Sequence, residues 1–139
     1  AARAQRFVRP LDAQRYRVAH WALRWLVAEA LARPIADVDI VADARGRPVL
    51  PTDPRCHLSL SHSAGQGLVA LSRGAPVGVD IEVQRALPDA DELIALHGSP
   101  AEQEVLRRCD RQQRASSFLG LWTRKEACMK ALGRGLTLE

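Results

Sequence analysis

Asp80 and Glu82 are the most chemically suggestive pair in the chain, set in the run Gly78-Val79-Asp80-Ile81-Glu82. In an extended segment residues i and i+2 point to the same side, about 6–7 Å apart. Two carboxylates held that way repel unless water, a base or a cation lies between them. Mg²⁺ prefers hard oxygen ligands and takes one or two carboxylates, waters and substrate phosphates. The same spacing also suits a solvated polar face on an exposed strand. A second pair, Glu126 and Lys130, lies in Trp122-Thr123-Arg124-Lys125-Glu126-Ala127-Cys128-Met129-Lys130. Four residues apart on a helix, the two share a face. They make either an ordinary surface pair, contributing about 0.2–0.5 kcal/mol, or a base or metal ligand beside a cation that meets a phosphate. The third spot is Leu58-Ser59-Leu60-Ser61-His62-Ser63. His62 is either a structural or exposed histidine, or, with the serines and Gly65, part of a phosphate cradle of hydroxyl, imidazole and backbone N–H groups. A Ser/His hydrolase is disfavoured, because no GxSxG elbow is present and sequence neighbours do not readily form a triad. Arg3, Arg6, Arg9, Arg15, Arg17, Arg24, Arg45 and Arg47 either coat a surface or serve a ligand with several phosphates, which guanidinium groups bind bidentately.

These residues need elements to hold them. Pro10, Asp12 as an N-cap, and apolar or small residues at Tyr16, Ala19, Leu23, Leu26, Val27, Ala30 and Leu31 predict a first helix that Pro34 ends. A β region follows. Val38 to Ala42 and Pro48 to Leu50 flank a turn at Arg45-Gly46, and His57 to Ser61 alternates with Leu58 and Leu60 on one side. The segments Leu68 to Ser72 and Val77 to Val83, separated by Gly74-Ala75-Pro76, predict a second hairpin whose second arm carries Asp80 and Glu82. The rest is helical: a short piece over Asp89 to His97, a capping box at Ser99-Pro100-Ala101-Glu102, and a long helix from Arg111 to Leu132 closed by Gly133. The order is helix, strands, helices, with no long linker, low-complexity tract or repeat.

With 139 residues, 47% hydrophobic and 26% charged, the chain has the balance of one ordinary globular domain, and disorder and collagen-like repeats are excluded. Its 20 basic and 16 acidic residues leave a formal charge of +4, which suggests an anionic partner without choosing one. Nucleic acid is not the expected partner, since one Tyr and two Phe give little platform for base stacking. Three cysteines, Cys56, Cys109 and Cys128, contain no CxxC and read as reduced thiols of a cytosolic protein. No apolar run approaches the ~18 residues of a membrane span, so no membrane partner is expected. The start at Ala1-Ala2 and the stop at Leu138-Glu139 read as trimmed ends.

In this order the pieces resemble the 4′-phosphopantetheinyl transferases of the Sfp type. An Arg-containing first helix, Gly46-Arg47-Pro48, Leu60-Ser61-His62-Ser63, Gly78-Val79-Asp80-Ile81-Glu82 and Trp122-Thr123-Arg124-Lys125-Glu126-Ala127 with Lys130 carry the likeness over nearly the whole chain. The resemblance implies an α+β fold of two similar lobes related by a pseudo-twofold. Each lobe would pair a helix with a small antiparallel sheet, residues 1–84 forming the first and residues 85–139 a second, incomplete one. It implies Mg²⁺-dependent transfer (Mn²⁺ being an alternative ion) of the phosphopantetheine arm of coenzyme A to a serine of an apo acyl or peptidyl carrier protein, with adenosine 3′,5′-bisphosphate released. A degenerate relative that binds coenzyme A or a carrier without turnover is the alternative.

The resemblance also assigns roles. Asp80, Glu82 and Glu126 would hold the metal, Glu126 doubling as base for the carrier serine, and Lys130 would stabilise the departing phosphate. Ser61, His62 and Arg47 would contact coenzyme A phosphates, with Arg3, Arg6 and the first helix at the 3′-phosphate. In that helix His20 stands where the family commonly has Arg, and Arg47 replaces the family's usual Lys. Trp122 would pack in the core and fix the helix that carries Glu126. A cytoplasmic monomer is expected, serving fatty acid, polyketide or nonribosomal peptide synthesis.

Overall fold

The first apolar stripe folds as a long helix, α1 (Pro10–Leu31), in the computed structural model, which describes residues 8–133. Pro10 occupies its first turn and Arg9 is the N-cap, so Asp12 lies inside the first turn and is not the cap. Its carboxylate favours that end of the helix dipole from there. Only part of the expected stripe reaches the core: Leu23, Val27 and Ala28 are buried, whereas Leu26 is exposed. Ala32 closes the helix in the left-handed region, donating its N–H back to Glu29.

A one-turn 3₁₀ helix (Ile35–Asp37) leads into an antiparallel sheet of β1 (Val41–Ala42), β2 (Pro48–Val49), β3 (Cys56–Ser63) and β4 (Gln66–Arg73), in that order. The first hairpin stands where the Arg45-Gly46 turn predicts it, with strands shorter than expected. The second differs from the expectation. β4 pairs with β3 over eight residue pairs, from Cys56↔Arg73 to Ser63↔Gln66, and not with the segment after Gly74. The connection is the two-residue loop Ala64-Gly65, at φ 47° and 95°. Two successive positive φ values are the type I′ pattern that suits the twist of a hairpin, and Asn-Gly is its usual signal. Ala64 hides that signal.

Residues 77–83, expected as a ladder strand, join no ladder. They run alongside β3 instead, and its serines take their backbone donors. Val79 N–H donates to Ser59 Oγ (3.1 Å) and Ile81 N–H to Ser61 Oγ (3.3 Å). Both numbers rise together, so the segment runs parallel to β3. These bonds explain why Ser59 and Ser61 are buried along with Leu58: one face of β3 meets α1 and the other meets the Asp80 segment.

The second half is helical: α2 (Ala90–His97), α3 (Pro100–Arg107) and α4 (Arg111–Leu132). The capping box forms as expected, with Ser99 Oγ accepting from Glu102 N–H and Glu102 accepting from Ser99 N–H. Among the described residues this half carries no strand, so the small sheet expected of a second lobe has no counterpart there. The fold is α+β with two cores. Leu23, Val27, Val38, Leu50 and Leu58 fill the first, between α1 and the sheet. Ile94, Leu106 and Phe118, with Trp122 against them, fill the second, between α2, α3 and α4. No helix among the described residues is long and apolar enough to cross a membrane.

Candidate active site

The Asp80 segment is clamped between β3 and α4. Gly78 makes the approach possible. A Cβ there would collide with the Ala127 carbonyl oxygen and stand 2.6 Å from Ala131 N. With no side chain at 78, the backbone lies directly on α4, and Asp80 arrives beside the helical face that carries Lys130.

Asp80 Oδ1 then accepts two bonds, from Lys130 Nζ at 2.6 Å and from the Ser61 hydroxyl at 2.8 Å. The Asp80 side chain is only 7% exposed and Lys130 is 32% exposed, so this ion pair is largely shielded from water. The other Asp80 oxygen, Oδ2, is buried without a hydrogen-bond partner, and so is Glu126 Oε1. Burial pushes the Glu126 carboxyl above the ordinary carboxylate range, and the charge of Asp80 pushes it further. Lys130, one turn along α4, pulls the other way, Glu82 raises it again, and His97 lowers it. Two orphaned carboxylate oxygens, drawn from separate elements and repelling each other, fit a hard divalent cation by their donor chemistry.

The third expected ligand is placed differently. Glu82 is exposed, with Ser63 Oγ 3.5 Å from its Oε2. Among the described residues no three His, Cys, Asp or Glu side chains form a ready metal cage. Carboxylates repel, and the counter-charge on Asp80 is the Lys130 ammonium.

The candidate phosphate contacts are spread over three places. β3 alternates, so Ser61 turns to Asp80 while His62 faces the opposite side. There it lines a groove of about 590 Å³ between α1 and the β3–β4 hairpin, shared with Gln14, Arg15 and the loop glycine Gly65. Arg47 stands elsewhere. It lies 3.8 Å from the Asp43 carboxylate, and its guanidinium packs on Gly133, while Arg45 donates to the Gly133 carbonyl. Two cations thus sit at the carbonyl end of α4, where the helix dipole favours them. His20 packs against Tyr16 on α1 (ring centroids 4.1 Å apart, planes tilted by 40°) and is not among the groove residues. Arg3 and Arg6 lie outside the described residues.

Lys125 carries a role that sequence reasoning missed. Its ammonium donates to the His97 carbonyl and to Glu102 Oε2, each at 2.8 Å, and ties α4 to the ends of α2 and α3. That bond, with the Ser99 N–H, holds the Glu102 carboxyl below its usual value. Trp122 packs as expected, stacked near Phe118 and edge-on to His97.

Known proteins carry the same arrangement of sequence. Residues 76–139 match the sequence model of the 4′-phosphopantetheinyl transferase superfamily, and the chain belongs to that superfamily. It is 32% identical over 144 residues to 4′-phosphopantetheinyl transferase psf-1 of Bacillus pumilus, a match that covers 98% of this chain and 57% of that relative. 4′-Phosphopantetheinyl transferase HetI of a Nostoc species is 31% identical over 97% of this chain and 58% of its own length. 4′-Phosphopantetheinyl transferase Sfp of Bacillus subtilis is 27% identical over 98% of this chain and 59% of its own length. The chain spans less than two thirds of the length of the curated relatives it matches.

Proposed function

We propose that this chain carries catalytic residues of a 4′-phosphopantetheinyl transferase that moves the phosphopantetheine arm of coenzyme A to a serine of an apo acyl or peptidyl carrier protein. The observation that carries the reading is the meeting of Asp80, from an extended segment, with Glu126 and Lys130 of α4, two carboxylate oxygens there being buried without partners. We also assign residues 1–84 and 85–139 to two lobes, because each half has its own core and the site lies where they meet.

Asp80 and Glu126 would hold Mg²⁺ or Mn²⁺, with Glu82 turning in from Ser63 as a third ligand. The ion would neutralise charge on the coenzyme A pyrophosphate and on the leaving oxygen. Glu126, made more basic by burial and by Asp80, takes the proton of the carrier serine directly or through a water. The serine oxygen bonds to the phosphorus that bears the pantetheine arm. The bond from that phosphorus to the oxygen of adenosine 3′,5′-bisphosphate breaks, and the bisphosphate leaves. Lys130, within a side chain's swing of Asp80, meets the negative charge that builds on it. His62 and Arg15 face the same groove and would grip the nucleotide phosphates of coenzyme A from there.

The test uses the protein in its full reading frame, mixed with coenzyme A, Mg²⁺ and several apo carrier domains. A mass gain of one phosphopantetheine on a carrier is expected. No gain on any of them, with coenzyme A still bound, would favour a degenerate relative.

A further inference from the structure

His97 closes α2 and has no part in the reading above, yet it is built into the site. Its ring meets Trp122 edge-on, with centroids 4.8 Å apart at 63°. Trp122 and Glu126 are one turn apart, so His97 lies against the face of α4 that carries Glu126. Its backbone is fixed from both sides. The His97 carbonyl accepts from Lys125, and Gly98 turns sharply behind it, where a Cβ would stand 2.7 Å from the Ile94 carbonyl oxygen. Within this held ring Nδ1 is buried and has no hydrogen-bond partner. Glu126 Oε1, on the same helical face, is buried and has none either. One atom can donate and the other accepts. The Glu126 carboxyl also feels the His97 charge, which places the two groups within electrostatic reach.

We propose that His97 is a positioning residue for Glu126: when a divalent cation draws the Glu126 carboxyl toward Asp80, the unpartnered Nδ1–H comes to donate to the unpartnered Oε1 and holds the carboxyl there. This inference rests on the transferase reading only in taking Glu126 as a ligand of the divalent cation. Carboxylates that bind a metal are themselves held by hydrogen bonds from an outer ring of residues, and losing such a partner lowers metal affinity roughly 10–100-fold. One oxygen can accept the imidazole and still bind the cation, because it carries two lone pairs.

The test measures Mn²⁺ affinity of the full-length protein by electron paramagnetic resonance of the free ion, for wild type, His97→Asn, His97→Gln and His97→Phe. The Asn amide nitrogen overlies Nδ1, the Gln amide nitrogen overlies Nε2, and Phe keeps the edge contact with Trp122 but donates nothing. Near wild-type affinity is expected for His97→Asn, and a loss of roughly 10–100-fold for His97→Gln and His97→Phe. A packing role predicts the reverse order, with Phe best tolerated, and that order overturns the proposal. Equal affinity in all four proteins overturns it too. Circular dichroism on the same samples shows whether each variant is folded. A wild type that binds no Mn²⁺ refutes the cation reading of Glu126, and this role for His97 with it.

Discussion

At the scale of single residues, charge is balanced in two different ways along α4. Glu126 and Lys130 face the Asp80 segment, where three carboxylates outnumber one ammonium. Lys125, on a neighbouring face, is fully matched by Glu102 and the His97 carbonyl. The second balance is structural, and it titrates. The folded-state value of Glu102 lies below its ordinary 4.5, so the bond contributes fully above that pH and is lost as pH falls through the lowered value. Glu102→Gln keeps a side chain that can close the capping box but removes the charge. It should cost roughly 0.5–1 kcal/mol at pH 7 and flatten the acid limb of stability below pH 4.5, as read by urea titrations at several pH values. An unchanged acid limb would show that Lys125 does not hold this carboxylate. His62 faces the groove. His62→Ala should raise the coenzyme A KM roughly tenfold, the loss of one charge-assisted hydrogen bond, with kcat little changed. A fall in kcat at constant KM would move His62 from ground-state binding into the chemical step.

At the scale of elements, the sequence carried some features openly and concealed others for physical reasons. The bounds of α4 were legible because Ala115, Phe118, Leu121, Trp122, Met129 and Leu132 recur at helical spacing and Gly133 supplies the left-handed cap. The capping box at Ser99 was legible because four adjacent residues define it. The β3–β4 hairpin was not, because Ala64 stands where Asn would announce the turn. Nor could alternation alone reveal the fate of residues 77–83. Whether an extended segment finds a strand's backbone or a serine hydroxyl is settled by its neighbours in space. The candidate carboxylates were legible as residue types and spacings. Their partners, the buried Ser61 on Asp80 and the half-buried Lys130 across from it, depend on contacts between residues 19 and 50 positions apart. Gly78 is the point on which that contact turns. Gly78→Ala should push the segment off α4, costing roughly 1–3 kcal/mol as other overpacked sites do, and should weaken cation binding along with stability. Thermal unfolding and a metal titration on one sample check both. A variant with unchanged melting and unchanged affinity would mean that the segment approaches α4 less closely than described.

At the scale of the whole molecule, two small cores lie on either side of a charged seam. The seam is crossed by the Asp80–Lys130 pair and by the contacts of Arg45 and Arg47 at Gly133. A seam of this kind suits a site that must open to a large substrate, because charged contacts exchange partners more readily than an apolar core repacks. The groove that holds His62 and the Asp80–Glu126 cluster lie on opposite faces of the same strand, β3. A ligand carrying phosphates at both ends of a nucleotide could reach both by passing around the strand's Ser63 end. The proposed chemistry requires Asp80 and Glu126 to share one divalent cation. Calorimetric titration of Mn²⁺ into the full-length protein, its Asp80→Ala variant and its Glu126→Ala variant measures that directly. One bound ion per chain in the wild type and none in either folded variant is the expected result. Undiminished binding in either variant would contradict the account.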